Sequence, residues 1–256
     1  MSFKRWATSR NGARVVGALT VLAAVVAVEL LIRVGVINRF IVPLPSQIIG
    51  AIPRIVVEEH VVQRFGQTSL EVAWASVLLV GVGVPLGMLL YRFRIARLAC
   101  ETWVGALAAA PIVLMYPLFL VIFGRSTTTI VMIGFAAGIA PVILKTLEGL
   151  VSTRAVLLDV GRSFNVTTRQ QFRLILLPAA LPAMFVGIRL GLIFAMINIV
   201  GVEFLINFGG LGQLINELAE RYDLPGTYGA ILFVVAASIV FFDVTARAER
   251  WLRPNT

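Results

Sequence analysis

Six runs of about twenty or more mostly apolar residues recur along this chain, at about 13–35, 69–91, 103–123, 127–147, 179–204 and 227–247. About twenty is the number an α-helix needs to cross the hydrocarbon of a bilayer. The apolar residues run continuously and do not alternate, which excludes a β-barrel. Helices keep their backbone hydrogen bonds within the segment, as hydrocarbon demands. The expected fold class is therefore an all-α integral membrane protein with six transmembrane helices. Residues 1–12 are expected to form a short tail, and 13–256 a single transmembrane domain.

The charged residues agree. Only 14% of the chain is charged, against about 25% in a soluble domain. The net charge of +9 does not point to nucleic acid, because the basic residues lie between apolar runs and not on one soluble face. With the N-terminus placed inside, fifteen of them fall in cytoplasmic segments: Lys4, Arg5, Arg10 and Arg14; Arg92, Arg94 and Arg97; Lys145, Arg154, Arg162, Arg169 and Arg173; Arg247, Arg250 and Arg253. Five fall outside: Arg39, Arg54, Arg64, Arg125 and Arg221. This asymmetry predicts both termini in the cytoplasm. The apolar run from Ala13 to Ile32 exceeds the about 7–15 residues of a signal-peptide core, so a retained signal-anchor helix is expected.

Several chemistries are excluded. Cys100 is the single cysteine and His60 the single histidine, so neither an intrachain disulfide nor a multi-His metal site can form. Lys4 and Lys145 are the only lysines, and no G-x-x-x-x-G-K-[ST] occurs. The chain therefore has no P-loop with which to hold ATP.

One stretch interrupts the apolar pattern: LLDVGRSFNVTTRQQFRLILLP, residues 157–178. Val156, Leu157, Val160 and Phe164 recur at helical spacing, with Asp159, Arg162 and Ser163 around the remainder. Asn165 follows, a residue that tolerates the left-handed conformation ending a helix. Thr167 stands three before Gln170, a capping-box pattern. The stretch thus specifies a helix, a sharp turn and a second helix. An apolar-faced surface helix either lies in the headgroup layer or docks into a groove of a soluble partner.

The stretch resembles the EAA loop in the membrane subunits of bacterial ABC importers: E-A-A, three residues, G, nine residues, then I-x-L-P. Asp159, Val160 and Gly161 stand at E-A-A, Asn165 at the Gly, and Ile175, Leu177 and Pro178 match as written. Asp keeps the charge and Asn keeps the turn. LPSQIIGAI, GVPLGMLL, APIVLMYPLFLVIFG, APVILKTLEGL, LPAALPAMFVGIRLGL, VGVEFL and GGLGQLI are similar, in this order, to the permeases of nitrate, sulfonate and taurine importers. The resemblance implies a type I ABC importer permease, itself non-catalytic, in the bacterial inner membrane. It implies that Leu157, Asp159, Val160, Gly161, Arg162, Phe164 and Asn165 couple to an ABC ATPase subunit, which binds ATP and Mg. It also implies a second permease copy, an extracytoplasmic substrate-binding protein facing the acidic segment 205–226, and a small anionic solute as cargo.

Charges within the spans complete the expectations. Glu29 and Arg33, and Asp243 and Arg247, are spaced i, i+4 and read as local ion pairs. Arg189 lies about ten residues into the fifth run with no acid at i±3 or i±4, so it either braces two helices or lines an anion path. Glu203 is a candidate gate or interface residue. Gly83 and Gly87, and Gly134 and Gly138, have helix-packing spacing within the chain or between copies. A secondary transporter would need inverted repeats and midplane acids; no repeat is evident, and the spans show no clear acidic relay. An intramembrane enzyme would need clustered catalytic groups, which this composition does not offer.

Overall fold

The computed structural model describes residues 10–252. Residues 1–9 of the expected tail lie outside the described residues, as does Arg253 among the basic residues weighed for orientation. Ten α-helices and one 3-10 turn (Ile112–Met115) follow one another within the described residues, with no strand. The helices are α1 (Arg10–Arg33), α2 (Pro45–Glu58), α3 (Val61–Arg92), α4 (Arg94–Ala109), α5 (Tyr116–Phe123), α6 (Thr127–Val151), α7 (Ala155–Ser163), α8 (Thr168–Ile206), α9 (Gly210–Glu220) and α10 (Leu224–Leu252). α3 and α8 each contain one widened π turn, at Leu79–Gly83 and Phe172–Leu176.

Five of these helices are long and apolar enough to cross a bilayer, and α4 with α5 makes a sixth if the bent pair is one span. That pair corrects the expected straight third helix. α4 and α5 meet at 90°. Ala110 is extended (ψ 134°), the conformation that Pro111 favours in the residue before it. Pro111 also has no N–H to continue the ladder. Apolar content alone carries no sign of this bend.

α6 is the central helix. It is buried on nearly every side and runs beside α8 for most of its length. Hydrocarbon gives no hydrophobic drive between helices, so the contact depends on close van der Waals approach through small residues. A Cβ added at Gly191 would sit 2.7 Å from the carbonyl oxygen of Gly138. One added at Gly87 would sit 2.6 Å from Thr146 Cβ. The glycines that the sequence left open between two uses thus pack α3, α6 and α8 within one chain. By contrast α1 meets the rest of the chain mainly through α2. Glu29 links them, accepting from Ser46 N (3.1 Å) and Oγ (2.9 Å) at the N-terminus of α2.

α6 and α8 are antiparallel: Arg125, before α6, bonds the carbonyls that end α8, and α7, after α6, packs on the start of α8. α2, α9 and the 124–126 turn therefore lie at one end; α7 and the 152–154 and 164–167 turns lie at the other. The two i, i+4 pairs form as their spacing predicts, Arg33–Glu29 at 2.7 Å and Arg247–Asp243 at 2.6 Å.

Gly138→Val tests the packing. Overpacking a close contact costs about 1–3 kcal/mol, so the chain should insert yet melt several degrees lower in detergent. Gly105→Ala, whose Cβ would meet nothing within 4 Å, should leave the melting temperature unchanged.

Candidate functional site

At one end, α7 stands on the surface as a two-faced helix. Its inward face is Leu158 and Gly161. Leu158 packs against the cluster of Leu150, Leu176, Ala180 and Met184, and Gln171 Nε2 donates to its carbonyl at 3.2 Å. Gly161 is buried; an added Cβ would lie 2.7 Å from Ile175 Cδ1. Gly161 therefore closes α7 onto the start of α8. Of the residues the resemblance assigns to coupling, Gly161 is thus buried against α8 while Leu157, Asp159, Val160, Arg162 and Phe164 are not. The outward face holds Val156, Leu157, Val160 and Phe164, with Val156 69% and Phe164 77% exposed. Arg162 and Asp159 pair across one turn at 2.9 Å, both exposed.

The helix stops as the sequence predicts. Asn165 is left-handed (φ 52°). Val166 N donates to Gly161 O (3.2 Å) and Asn165 N to Arg162 O (2.9 Å), the paired bonds of a Schellman end. Thr167 then opens α8: its Oγ1 accepts from Gln170 N (3.3 Å), and its N donates to Gln170 Oε1 (2.8 Å). A fixed turn thus holds four apolar side chains outward, each still 43% or more exposed among the described residues.

The opposite end is organised by charge and by Glu203. Arg64 pairs with Glu217 at 2.7 Å and Arg221 with Glu59 at 2.8 Å. Arg54 pairs with Asp223, whose hydrogen bond and charge hold the guanidinium above its usual range. The acids of the 205–226 segment are largely spent on these arginines, so it does not present the open acidic surface expected. Arg125 donates to the carbonyls of Ile206 (3.0 Å) and Asn207 at the end of α8.

Glu203 is fully buried. Its Oε1 accepts from Thr68 Oγ1 at 2.7 Å and its Oε2 from Gly212 N at 2.8 Å. Leu211 N donates to Thr68 Oγ1 at 2.9 Å, and Gly210 N to Gln67 Oε1 at 3.2 Å. The first-turn N–H groups of α9 are thus satisfied by side chains of α3 and α8. Gly210 leaves the space: an added Cβ would collide with the Glu203 carboxylate. Glu71 lies against this cluster, 1% exposed, beside the Glu203 carboxyl. Sequence reasoning missed Glu71, and the meeting of two acids corrects the expectation of spans without an acidic cluster. The available signal was a glutamate two residues inside an apolar run. Arg189 is elsewhere, its guanidinium carbon 5.5 Å over the Phe242 ring, between α8 and α10. Neither it nor Glu203 lines the apolar groove of about 480 Å³ among α3, α8 and α10.

A bundle of membrane-spanning helices with a short, outward-apolar helix on a rigid turn is the architecture of a transport permease. The chain belongs to the family of binding-protein-dependent transport system inner membrane components, whose model matches residues 80–256. It is 27% identical to a probable ABC transporter permease protein of Brucella melitensis, over 69% of this chain and 72% of that one. It is 30% identical to the choline transport system permease OpuBD of Bacillus subtilis, over 61% of this chain and 69% of that one. It is 24% identical to the putative aliphatic sulfonates transport permease SsuC of Bacillus subtilis, over 80% and 75%. An inward-facing structure of the MetNI methionine ABC transporter superposes with a TM-score of 0.64 at 20% identity, covering 74% of this chain and 94% of that one. The chain is a multi-pass, non-catalytic permease subunit of an ABC importer with the type I permease fold.

The turn supplies its own test. A left-handed conformation costs a non-glycine residue about 1–2 kcal/mol, and β-branched residues more. Asn165→Gly should leave the α7 amides as protected from hydrogen exchange as before, whereas Asn165→Val should expose them.

Proposed function

We propose that α7 is the helix through which a separate ATPase subunit, holding ATP and Mg, drives this permease. The observation that carries the proposal is the outward face of α7: Val156, Leu157, Val160 and Phe164 exposed together on a helix whose turn is fixed on both sides. The EAA spacing supports the same reading. In it, Leu157, Asp159, Val160, Arg162, Phe164 and Asn165 make or shape the contact, and Gly161 holds the helix in place. Phe164 is the anchor, because an aromatic offers the largest area to bury.

The same reading puts α7 and both chain ends in the cytoplasm, as the charge asymmetry favours. α2 and α9 then face an extracytoplasmic binding protein. Two copies of the permease, set in lipid, pair around the path. The apolar groove on α3, α8 and α10 supports an arrangement in which one chain alone does not enclose that path. For the cargo we propose a small anionic solute of the nitrate, sulfonate or taurine kind, supported by the sulfonate-permease relative. Arg189 is then a brace between α8 and α10 or a cation beside the path. The choline-permease relative favours a competing reading, a quaternary ammonium solute.

Three measurements test these proposals. In vesicles reconstituted with ATPase and binding protein, Phe164→Ala should lower substrate-stimulated ATP hydrolysis and uptake at least about tenfold, the loss expected for truncating an interface anchor. The chain itself should insert normally. Unchanged coupling would reduce α7 to a helix lying on lipid. Competition of uptake by taurine, sulfonates and nitrate, but not choline, supports the anionic cargo; the reverse pattern replaces it. For orientation, a thiol at exposed Glu220 (Glu220→Cys in a Cys100→Ser background) should react with a membrane-impermeant reagent from outside intact cells. Reaction only after the cytoplasm is opened would invert the topology.

A further inference from the structure

The contact between Glu71 and Glu203 lacks a donor. Glu71 lies one turn along α3 from Thr68, which bonds Glu203, so the two buried carboxyls meet on one face of α3, yet ionised carboxylates only accept. Glu203 already accepts from Thr68 and from Gly212. Both oxygens of Glu71 are buried with no donor from the described residues. Two bare carboxylates side by side in such a place would repel strongly.

A cation would relieve this, but the nearby cations are committed elsewhere. On α3, Arg64 is held by Glu217 of α9; Arg221 is held by Glu59 and Glu217. Arg54 is held by Asp223, and Arg125 caps the end of α8. Glu220 on α9 bonds Asn216. α6 carries no charged residue before Lys145, α10 none before Asp243, and Arg189 on α8 lies fourteen residues from Glu203. Among the described residues no arginine or lysine pairs with Glu71 or Glu203.

We propose that Glu71 binds a proton and donates it to Glu203, forming a carboxylic acid–carboxylate latch that holds α9 against α3 and α8. The proton belongs on Glu71 because Glu203 is the carboxyl that receives two other donors, which favour its ionised form. The hydroxyl of Thr68 fits the same assignment, since it donates to Glu203 and accepts from Leu211 N. The ionised Glu203 sits where the N–H groups and dipole of α9 stabilise negative charge. The latch rests on the fold alone and is independent of the cargo and of the role of α7.

The two glutamates should therefore tolerate amide substitution unequally. In Glu71→Gln the amide N–H replaces the acid O–H as donor. In Glu203→Gln one of the two donors now facing a carboxylate oxygen meets an NH₂ group. Hydrogen exchange of the full-length chain in lipid nanodiscs reads the result at α9. Glu71→Gln should match the native chain. Glu71→Leu, of similar volume but without a donor, and Glu203→Gln should speed exchange at α9 by about tenfold or more, the scale of losing a hydrogen bond to a charged group. Infrared spectra should show a neutral carboxylic C=O band that disappears in Glu71→Gln. On the native chain, protection of α9 should not change when sodium or potassium replaces choline as the salt cation. The proposal is overturned if Glu71→Gln exchanges as fast as Glu71→Leu, if the native chain lacks the band, or if sodium or potassium protects α9. The native-chain measurements stand even where a variant does not fold.

Discussion

In hydrocarbon no water completes a hydrogen bond, so every backbone polar group of a span must be answered from within the protein. The architecture follows from that. The spans are helices because helices alone satisfy their backbone locally. α6 and α8 approach until glycine carbonyls set the limit, as at Gly138 and Gly191, because only close contact offers attraction where lipid tails compete equally for apolar surface. Several charged side chains near the spans lie in pairs or against backbone: Glu29 with Arg33 and Ser46, Arg125 with the α8 carbonyls, Glu203 with the first turn of α9. Each arrangement returns part of the desolvation cost of a charge near the membrane.

The same requirement divides the molecule into two unlike ends. At the α9 end, ion pairs and side-chain caps join α2, α3, α8, α9 and α10, and few charges remain open. At the α7 end, the turn is fixed by backbone bonds while the apolar side chains remain uncovered. An end whose bonds are internally complete can hold its geometry alone. An end that displays Phe164 at 77% exposure gains stability when something else covers it. That difference in exposure, not in apolar content alone, is what the proposed docking at α7 rests on.

What could be read from the sequence was what physics makes local. The span lengths depend on runs of apolar residues. The end of α7 depends on Asn165 and its neighbours, and the start of α8 on Thr167 and Gln170. The bend between α4 and α5 was hidden because Pro111 sits in an apolar run, and hydropathy does not distinguish a straight helix from a broken one. That Gly161 is buried could not be read locally, because the residue it approaches, Ile175, is fourteen positions away. Glu71 and Glu203 are 132 positions apart, and no periodicity brings them together; only the packing of α3 on α8 and α9 does. Glycines in the 205–226 segment read as turns, while their further use, leaving room for a carboxylate, depends on the helix that supplies it.

The two ends are joined by one element. α8 spans 39 residues, about 58 Å at 1.5 Å per residue. It begins at the turn that positions α7 and ends at the carboxylate that caps α9. Its first turns contain a π segment at Phe172–Leu176 and a proline at Pro182, both recognised sources of bending. Beyond Pro182 it is clamped to α6 through Gly187 and Gly191. A push on α7 therefore meets a compliant segment first and a stiff one afterwards. Whatever tilt passes the clamp arrives at Glu203, where α9 is attached by few, directional hydrogen bonds. Such bonds fail over a fraction of an ångström, whereas the apolar contacts of α6 with α8 change gradually. On the proposed reading of α7 as the driven helix, the α9 junction is where a tilt of α8 would change contacts abruptly.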